Sequence, residues 1–455
     1  MIFEQIYLDC LSQAAYLIGS DGEAALVDPR RDVDEYLAAA ERHGLTIRHV
    51  IATHVHADFV AGLLEIADRT GAVVWMGGRF DGELPCRRMP HGHELRVGQA
   101  VIQTLETPGH TPESICLLVR GPEGTPTRLL SGDTVFLGDV GRPDLVGARG
   151  LSAEDMAGMM FDSLRDHVLP LDDTVEVWPG HGAGAACGKT ISTEPRATSG
   201  AQRMSNWAFT CDDRDRFIAE LCAELPPPPR YFAHAAAMNR SGPSLERERT
   251  TPRRLGPDEC SVVEENGAIL LDVRSVDAFG KAHVAGSLHV SLCGRFAEWC
   301  GRLVTPGRRI VLVASTEDEA HQAFVRLARV GHDTVLGWCC PDADHATAAL
   351  PQWTPAELHL ALEQDPGFQV IDVRQPGEFR AGRVPGAVSA PLTAFADPGF
   401  APAGLDPARP TAVICQGGAR SSMASHFLRN LGFQDLRNVA GGTGAWRAAG
   451  HAVEV

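Results

Sequence analysis

The stretch Thr53-His54-Val55-His56-Ala57-Asp58-Phe59 decides how the first half of the chain is interpreted. It directly follows residues 47–52, an apolar β-branched run that predicts a strand. Side chains in the turn after a strand are held at one edge of a sheet, and imidazole nitrogens together with carboxylate oxygens are common metal ligands. The stretch therefore predicts part of a metal site at a sheet edge.

Three further turns of this kind occur later in the same half. They are the TPGH turn ending at His110, the SGD turn ending at Asp133 and the WPGH turn ending at His181. Strands are predicted at 24–27, 47–52, 72–76, 101–105, 128–130 and 174–178, and helices at 33–43, 60–70 and 153–165. One such histidine alone is usually an ordinary loop or core residue. Four such turns in this order indicate a single metal centre in an α/β fold.

These turns resemble those of the metallo-β-lactamase superfamily over roughly residues 1–235. The resemblance implies an αββα sandwich with metal at one edge of its paired sheets. Hydrolases of that family, including glyoxalase II, use the motif HxHxDH and hold two metals, and the last histidine of the motif binds the second one. Phe59 stands at that position here. Because phenylalanine has no lone pair, we expect a single metal.

Persulfide dioxygenases of the same superfamily keep one iron. Carried onto this sequence, their ligands are His54, His110 and Asp133. Two histidines and one carboxylate on one face of an octahedron leave positions for substrate sulfur and O₂. The resemblance also implies neighbouring residues that orient the ligands and the substrate. These are His56, Asp58 and His181.

The resemblance to persulfide dioxygenases extends to Gly141-Arg142-Pro143-Asp144. It implies that Arg142 engages a substrate carboxylate or the developing sulfite. Cys187 follows His181 by six residues and is interpreted as an inert buried thiol, with an approach to the iron as the alternative.

The second half of the chain contains an internal repeat. LLDVRSVDAFGKAHVAGSLHVSL begins at Leu270, and VIDVRQPGEFRAGRVPGAVSAPL begins at Val370, 100 residues later. This spacing is domain-sized, so we predict two copies of one module. The Ser-, Pro-, Arg- and Gly-rich segment 239–258 separates them from the first half. The predicted domains span residues 1–240, 255–350 and 352–455.

A cysteine loop closes the second module. A predicted strand at 411–414 leads into Cys415-Gln416-Gly417-Gly418-Ala419-Arg420, and a helix is predicted from 422 to 431. Backbone N–H groups at such a turn, with the positive end of the helix dipole, stabilise a thiolate or persulfide anion.

The loop, with IDVR at Ile371 and GGTGAW at Gly441, resembles the rhodanese family over residues 352–455. The resemblance implies that Cys415 carries the transferred sulfur, that Arg420 is catalytic with it, and that Gln416, Gly417, Gly418 and Ala419 bind the substrate around them. The first module has Ala314 and Glu319 at the positions of Cys415 and Arg420, so we expect it to be an inactive rhodanese-like domain.

Composition excludes several classes of protein. The chain has 455 residues, of which 44% are hydrophobic and 22% charged, and its net charge is −17. An acidic surface disfavours nucleic acid and anionic membrane as partners. Twelve cysteines without a CxxC spacing, and no signal-like N-terminus, favour a reducing cytoplasm.

The expected protein is therefore a persulfide dioxygenase–rhodanese fusion, with an αββα metallo-β-lactamase sandwich followed by two rhodanese-like α/β domains. The resemblance implies sulfide detoxification with one mononuclear Fe(II) and no nucleotide cofactor. Its partners would be a thiol persulfide, O₂ and sulfite or thiosulfate, and we expect a homo-oligomer. Two alternatives stay open: a glyoxalase II-like zinc thioester hydrolase, and a non-catalytic sulfur carrier or sensor.

Overall fold

The computed structural model describes residues 1–145, 150–256, 259–260, 267–341, 348–397 and 399–455. The chain divides into two compact units. The first comprises Met1–Arg249 with Ala328–Gly331, and the second comprises Thr250–Leu327 with His332–Val455. Both repeats lie in the second unit, apart from residues 328–331. The limits of the three predicted domains stay a prediction.

Two six-stranded sheets form the centre of the first unit, in the orders β1-β2-β3-β4-β5-β6 and β14-β13-β10-β9-β8-β7, beside a β11-β12 ribbon. The strands are β1 Ile2–Leu8, β2 Gln13–Ser20, β3 Glu23–Val27, β4 Thr46–Ile51, β5 Val73–Gly77, β6 Arg87–Met89, β7 Glu94–Val97, β8 Ala100–Glu106, β9 Ile115–Arg120, β10 Pro126–Gly132, β11 Val135–Phe136, β12 Asp139–Val140, β13 Glu176–Pro179 and β14 Ala197–Thr198.

Seven helices are described in this unit, and some of them pack against each sheet. They are α1 Asp34–Arg42, α2 Leu63–Thr70, α3 Ala153–Ser163, α4 Ser199–Ser205, α5 Trp207–Thr210, α6 Arg214–Cys222 and α7 Tyr231–Ser241, with a π-helical turn Leu164–Val168 and a 3₁₀ turn Glu246–Glu248. Helices α1 and α2 contact β4. Met160 of α3 and Phe217 of α6 join a core with Leu118 and Leu129 of the second sheet.

A central core lies between the two sheets. Tyr16 and Ile51 of the first sheet share it with Ile102 and Leu117 of the second. Sheets that bury such a common core pack face to face. The layers therefore follow the order helix, sheet, sheet, helix, and the αββα sandwich expected from the sequence is confirmed.

The predicted elements of this unit are all present, with shifted ends. The helix predicted over 60–70 begins only at Leu63, because Ala61 still belongs to the turn, where its N–H donates to Asn239 Oδ1 at 2.8 Å. The helix predicted over 153–165 ends as an α-helix at Ser163 and continues as the π-helical turn. Strand β2 was not predicted, because all eight of its residues are buried and it lacks the alternation of a half-exposed strand.

The second unit contains two smaller sheets, in the orders β16-β15-β17-β18 and β19-β23-β22-β20-β21, and every strand pair in them is parallel. The strands are β15 Ile269–Asp272, β16 Leu288–His289, β17 Ile310–Val313, β18 Val335–Cys339, β19 Gln352–Trp353, β20 Gln369–Asp372, β21 Val388–Ser389, β22 Thr411–Ile414 and β23 Leu436–Val439. The helices are α8 Val276–Lys281, α9 Phe296–Leu303, α10 Glu317–Ala328, α11 Pro355–Gln364, α12 Pro376–Arg380, α13 Ala419–Asn430 and α14 Gly442–Ala448, with a 3₁₀ turn Leu392–Ala396.

The internal repeat is visible in matched ion pairs. Arg274 binds Asp272 through two nitrogens, and Arg374 binds Asp372 in the same way. One hydrophobic core contains buried residues of both repeats. The two rhodanese-like α/β modules expected from the sequence are therefore confirmed, and they share a core.

Within the described residues, no helix is long and apolar enough to cross a lipid bilayer. The expected cytoplasmic location stays a prediction.

Candidate metal centre and cysteine loop

Three of the predicted site residues converge on one point in the first unit. One ligand atom each of His54, His110 and Asp133 lies within 4.8 Å of the other two. Asp133 Oδ2 is 3.8 Å from His54 Nε2 and 3.6 Å from His110 Nε2. All three side chains are at most 1% exposed. His54 Nε2 and Asp133 Oδ2 make no hydrogen bond within the described chain, so this donor set fits a metal ion.

The other ring nitrogen of each histidine is fixed by a neighbour. His110 Nδ1 lies 2.8 Å from the carbonyl oxygen of Arg142, which only accepts, so Nδ1 carries the proton and Nε2 keeps its lone pair. His54 Nδ1 lies 2.9 Å from Thr53 Oγ1, whose hydroxyl donates to Asp28 Oδ2 at 2.8 Å. Both Nε2 atoms are thereby oriented as ligands, as is usual for histidines that bind metal.

His181 connects two carboxylates at this site. Its Nδ1 is 2.8 Å from Asp133 Oδ1, and its Nε2 is 2.7 Å from Asp58 Oδ2. Burial by itself lowers the pKa of His181, but the two carboxylates outweigh burial and hold that pKa well above its usual value. In Asp133, burial is likewise outweighed, chiefly by His181, and the carboxyl pKa lies well below its usual range. His181 therefore leaves only Oδ2 of Asp133 facing the metal position.

The structure places His56 and Phe59 together, outside the group of three. The His56 ring lies 4.2 Å from the Phe59 ring, and its Nε2 lies 3.0 Å from Asp28 Oδ1. Phe59 is fully buried. His56 Nε2 thus faces the Asp28 carboxylate, and the supporting role expected for His56 stays a prediction.

Asp58, His181 and Cys187 form a second group whose ligand atoms lie within 4.8 Å of one another. Binding a metal there would break the Asp58–His181 hydrogen bond. Cys187 is buried as predicted, and burial raises its thiol pKa well above the usual value, with Asp58 and Asp133 adding to the effect. It lies close to the site, as the alternative interpretation allowed.

Arg142 is already paired within the chain. Its guanidinium binds both oxygens of Asp144, at 2.6 and 2.7 Å, and donates to the carbonyl of Pro226 at 2.5 Å. A contact with substrate or sulfite would therefore require the Asp144 pair to open. The role expected for Arg142 stays a prediction.

Sequence reasoning missed two residues that hold the HVHADF turn. Asp28 accepts the Thr53 N–H at 2.7 Å, and Asn239 donates from Nδ2 to the carbonyls of His56 and Phe59 at 2.8 Å each. Asp28 follows strand β3, so the strand-end rule used for the other turns could have found it. Asn239 gives no such signal, because it is 180 residues away from Phe59.

The Cys415 loop begins directly after β22, as predicted. Cys415 is 1% exposed, and its Sγ lies 3.0 Å from the N–H of Gly418 and 3.4 Å from the hydroxyl of Ser421. Helix α13 begins at Ala419 rather than at the predicted residue 422, so Ala419 and Arg420 lie in its first turn. Gly442 allows the close approach behind the loop, since a Cβ there would lie 2.0 Å from the Cys415 carbonyl oxygen.

Gln416, Gly417 and Arg420 occupy the rim of the loop. Gln416 and Gly417 are exposed, and the Gln416 side chain accepts from Thr443 at 3.1 Å. Arg420 binds both oxygens of Glu378 at 2.7 Å, which lowers the Glu378 pKa. The loop arginine is therefore balanced by a carboxylate that the sequence did not single out.

In the equivalent loop of the first repeat, the side chain of Glu319 bonds the loop backbone. Glu319 Oε2 accepts the Ser315 N–H at 2.7 Å, next to Ala314. The Glu319 carboxylate thus accepts the hydrogen bond of a backbone N–H that would otherwise be open to an anion. The inactivity expected for the first repeat stays a prediction.

Comparison with protein families gives two matches. The metallo-beta-lactamase superfamily matches residues 8–234, and the rhodanese-like domain matches residues 260–336 and 354–449.

Individual relatives carry different names. A hydroxyacylglutathione hydrolase of Anaeromyxobacter dehalogenans is 31% identical over 226 residues, which are 49% of this chain and 79% of that one. A metallo-beta-lactamase structure from Staphylococcus aureus is 33% identical, with a TM-score of 0.66, over 75% of this chain and 99% of that one. A structure of ETHE1 from Myxococcus xanthus is 30% identical, with a TM-score of 0.46, over 53% of this chain and 99% of that one.

Proposed function

Because the chain belongs to the metallo-β-lactamase superfamily and carries two rhodanese-like repeats after that fold, we propose that it is a persulfide dioxygenase fused to a sulfurtransferase. In the proposed reaction, a thiol persulfide RSSH, O₂ and water give RSH, sulfite and two protons. The outer sulfur of the persulfide is oxidised, and O₂ takes up its four electrons.

One observation carries the dioxygenase proposal. Two imidazole nitrogens and one carboxylate oxygen face a common point, and the position that binds a second metal in the two-metal hydrolases is filled by Phe59. Two histidines and one carboxylate are the ligand set of non-haem iron(II) oxygenases. Iron(II) held by His54, His110 and Asp133 would supply neighbouring positions for the persulfide sulfur and O₂, and a route for electrons between them.

The surrounding residues hold this arrangement and its protons. His181 bonds Asp58 through Nε2 and Asp133 through Nδ1, so that Asp133 presents a single oxygen to the proposed metal. The Arg142 carbonyl and Thr53 fix the ring orientation of the two histidines. Burial of all these side chains excludes bulk water, which strengthens their electrostatic effect.

A cavity beside the site offers room for the thiol that carries the persulfide. It measures about 440 Å³ and is lined by Arg142, Lys189, Thr190 and Pro226 among others. The Arg142 carbonyl that accepts from His110 connects this cavity with the proposed ligands. The basic side chains in its wall are already bonded, Arg142 to Asp144 and Lys189 to two backbone carbonyls, and Glu224 also lines it, so charge alone does not select the thiol.

Sulfur transfer is proposed to occur at Cys415. Its thiolate attacks the outer sulfur of a donor, the sulfur–sulfur bond of the donor breaks, and sulfite or a thiol leaves with the electron pair. The resulting persulfide then passes its outer sulfur to an acceptor, and thiosulfate forms when the acceptor is sulfite. Gly418 and Ser421 donate hydrogen bonds to the sulfur anion at both stages.

A second candidate is a thioester hydrolase. The name of the Anaeromyxobacter relative and the group Asp58, His181 and Cys187 favour it, since a hydrolase of this kind usually uses two metals. Phe59 opposes it, because it provides no ligand where two-metal members have histidine.

Metal loading distinguishes the two candidates. One preparation of apoprotein is loaded anaerobically with Fe(II), and another with Zn(II). Each is given glutathione persulfide with an O₂ electrode and, separately, S-lactoylglutathione with a thiol assay. We expect O₂ uptake only by the iron protein, and no thioester hydrolysis by either. Hydrolysis by a protein that holds two zinc ions, without O₂ uptake by the iron form, would overturn the proposal in favour of the hydrolase.

A further inference from the structure

Helix α13, which begins within the Cys415 loop, presents one face to the first repeat. Ser422 and Arg429 are seven residues apart on this helix, about two turns, and therefore share a face. Ser422 Oγ lies 2.8 Å from His289 Nδ1, and Arg429 Nη1 lies 3.1 Å from His283 Nε2. Both histidines belong to the repeat that lacks the cysteine.

Hydrogen bonds to backbone carbonyls fix the proton position in each histidine. His289 Nε2 is 2.9 Å from the carbonyl oxygen of Arg274, which only accepts, so Nε2 carries the proton and Nδ1 accepts from Ser422. His283 Nδ1 is 2.8 Å from the carbonyl oxygen of Phe279, so its Nε2 accepts from Arg429. Each ring donates within its own repeat and offers its lone pair to helix α13.

The two rings are held rigidly by the phenylalanine between them. The ring of Phe279 lies 3.8 Å from that of His283, at an interplanar angle of 11°, and 4.5 Å from that of His289, at 22°. His289 is fully buried, and His283 is 2% exposed. The two acceptor nitrogens are therefore fixed points on the first repeat.

These fixed points lie close to the reactive sulfur along the chain. Ser422 directly follows Ser421, whose hydroxyl is 3.4 Å from Cys415 Sγ. Gly418, whose N–H is 3.0 Å from the same sulfur, immediately precedes the helix. A small rotation or shift of the first turn of α13 would change both contacts, and groups that stabilise an anion are effective only when they are preorganised.

We propose that the cysteine-less repeat acts as a platform that positions helix α13, with His289 and His283 as positioning residues that aim the Gly418 and Ser421 donors at Cys415. This inference rests on the proposed sulfur chemistry of Cys415. It gives the first repeat a role in that chemistry, although it contributes no atom that touches the transferred sulfur.

The test uses the full-length protein with small changes on both sides of the contact. Ser422→Ala deletes only the hydroxyl that donates a hydrogen bond to His289 Nδ1. His289→Leu removes the acceptor, and His289→Asn returns an oxygen close to the position of Nδ1. Ser425→Ala is the matched control, because Ser425 is a buried serine on the same helix whose hydroxyl donates within the helix, to the Ser422 carbonyl at 2.7 Å. The rate of Cys415 alkylation by iodoacetamide is followed by peptide mass spectrometry from pH 6 to 10, and thiosulfate sulfurtransferase activity is measured alongside.

We expect Ser422→Ala and His289→Leu to slow alkylation of Cys415 at neutral pH about tenfold and to move its pH profile upward by about one unit, because a tenfold loss of thiolate corresponds to one pKa unit. His289→Asn should recover most of the rate, and Ser425→Ala should stay within about twofold of wild type. An unchanged profile in Ser422→Ala, or an equal loss in Ser425→Ala, would overturn the inference, even if His289→Leu fails to fold. Failure of the proposed function looks different: wild-type protein would then accept no sulfane sulfur, whatever the alkylation rates.

Discussion

Phe59 is the residue on which the choice between one metal and two depends. It is fully buried against the ring of His56, which turns toward Asp28. The three proposed donors face a common point, and the Asp58–His181 pair beside them, which also bonds Asp133, is closed by its own hydrogen bond. Phe59 therefore adds no metal-binding atom to this part of the site.

Replacing Phe59 tests this interpretation. Phe59→His should raise the bound zinc from about one toward two ions per chain and should reduce O₂ uptake, because the new imidazole adds a ligand beside Asp58. Phe59→Leu, which changes size but adds no donor, is the control. Metal analysis after zinc loading measures the number of bound ions. A Phe59→His variant that still binds one zinc ion would contradict the interpretation that Phe59 limits the site to one metal.

Removing a proposed ligand should separate the two activities. Asp133→Asn leaves a poorer donor at the metal and breaks the charge pairing with His181, so we expect loss of iron and at least a hundredfold lower O₂ uptake, with sulfurtransferase activity retained. Iron content by atomic emission and both assays on one sample provide the measurement. Unchanged iron content in this variant would show that the ligand assignment is wrong.

Glu378 is predicted to restrain the use of anionic donors by Cys415. Its carboxylate neutralises Arg420 through two hydrogen bonds of 2.7 Å. Glu378→Gln should free the guanidinium and lower the KM for thiosulfate several-fold, with a smaller effect on an uncharged donor. Glu363→Gln, at an exposed residue of α11, is the control. An equal or higher KM in Glu378→Gln would contradict the prediction.

At the residue scale, candidate site residues can be predicted from the sequence when they stand in the turn directly after a strand. His54, His110, Asp133 and Cys415 each stand in a turn after a predicted strand, and the fold brings the first three together. The ion pairs of Arg142 and Arg420 could not be predicted in the same way. Whether a charged side chain faces substrate or a neighbouring carboxylate depends on loop geometry, which has no periodic signal.

Among the elements, six strands were predicted closely, including β3, β5 and β13, in which every residue but the first is buried. Strands β3, β4, β5, β8, β10 and β13 were all found within two residues or so of their ends. Helix α13 was expected to begin three residues later than it does, because Gly418 and Ala419 resemble a turn. The left-handed conformation of Gly418, with φ of 98°, ends the turn and lets the helix start at once.

The His283–Phe279–His289 stack makes the second unit sensitive to acid. Burial lowers the pKa of His283 to about 4, against about 6.5 in an unfolded chain. Between these values the unfolded chain binds a proton that the folded chain excludes, so the stabilising effect is complete above pH 6.5 and is lost as the pH falls toward 4.

Urea unfolding of wild type and His283→Gln between pH 7 and 5 measures this effect. The free energy of unfolding should decrease more steeply toward low pH in wild type than in the variant, which cannot titrate at this position. Parallel pH dependences in the two proteins would show that His283 does not contribute.

At the scale of the whole molecule, the two proposed chemistries would share sulfite and sulfane sulfur on one chain. A tether raises the effective concentration of a shared intermediate without any new contact. The αββα fold and the two repeats could be predicted from their motifs. The common core of the two repeats could not, because residues buried between modules look the same in sequence as residues buried within one.

Cys415→Ser tests whether persulfide oxidation and sulfur transfer occur at separate sites of the chain. The hydroxyl is too weak a nucleophile to accept sulfur at neutral pH. We expect sulfite formation from persulfide to continue at the wild-type rate, while thiosulfate exchange disappears. Sulfite and thiosulfate can be quantified by chromatography after labelling with a fluorescent bromobimane, and loss of both activities together would contradict the account.

The most direct test of the central claim is the ratio of O₂ consumed to sulfite formed by Fe(II)-loaded Cys415→Ser protein given glutathione persulfide, with iron measured in the same sample. The variant avoids loss of sulfite to thiosulfate through the rhodanese site. We expect one O₂ per sulfite, at about one iron per chain. No O₂ uptake by a fully loaded protein would contradict it.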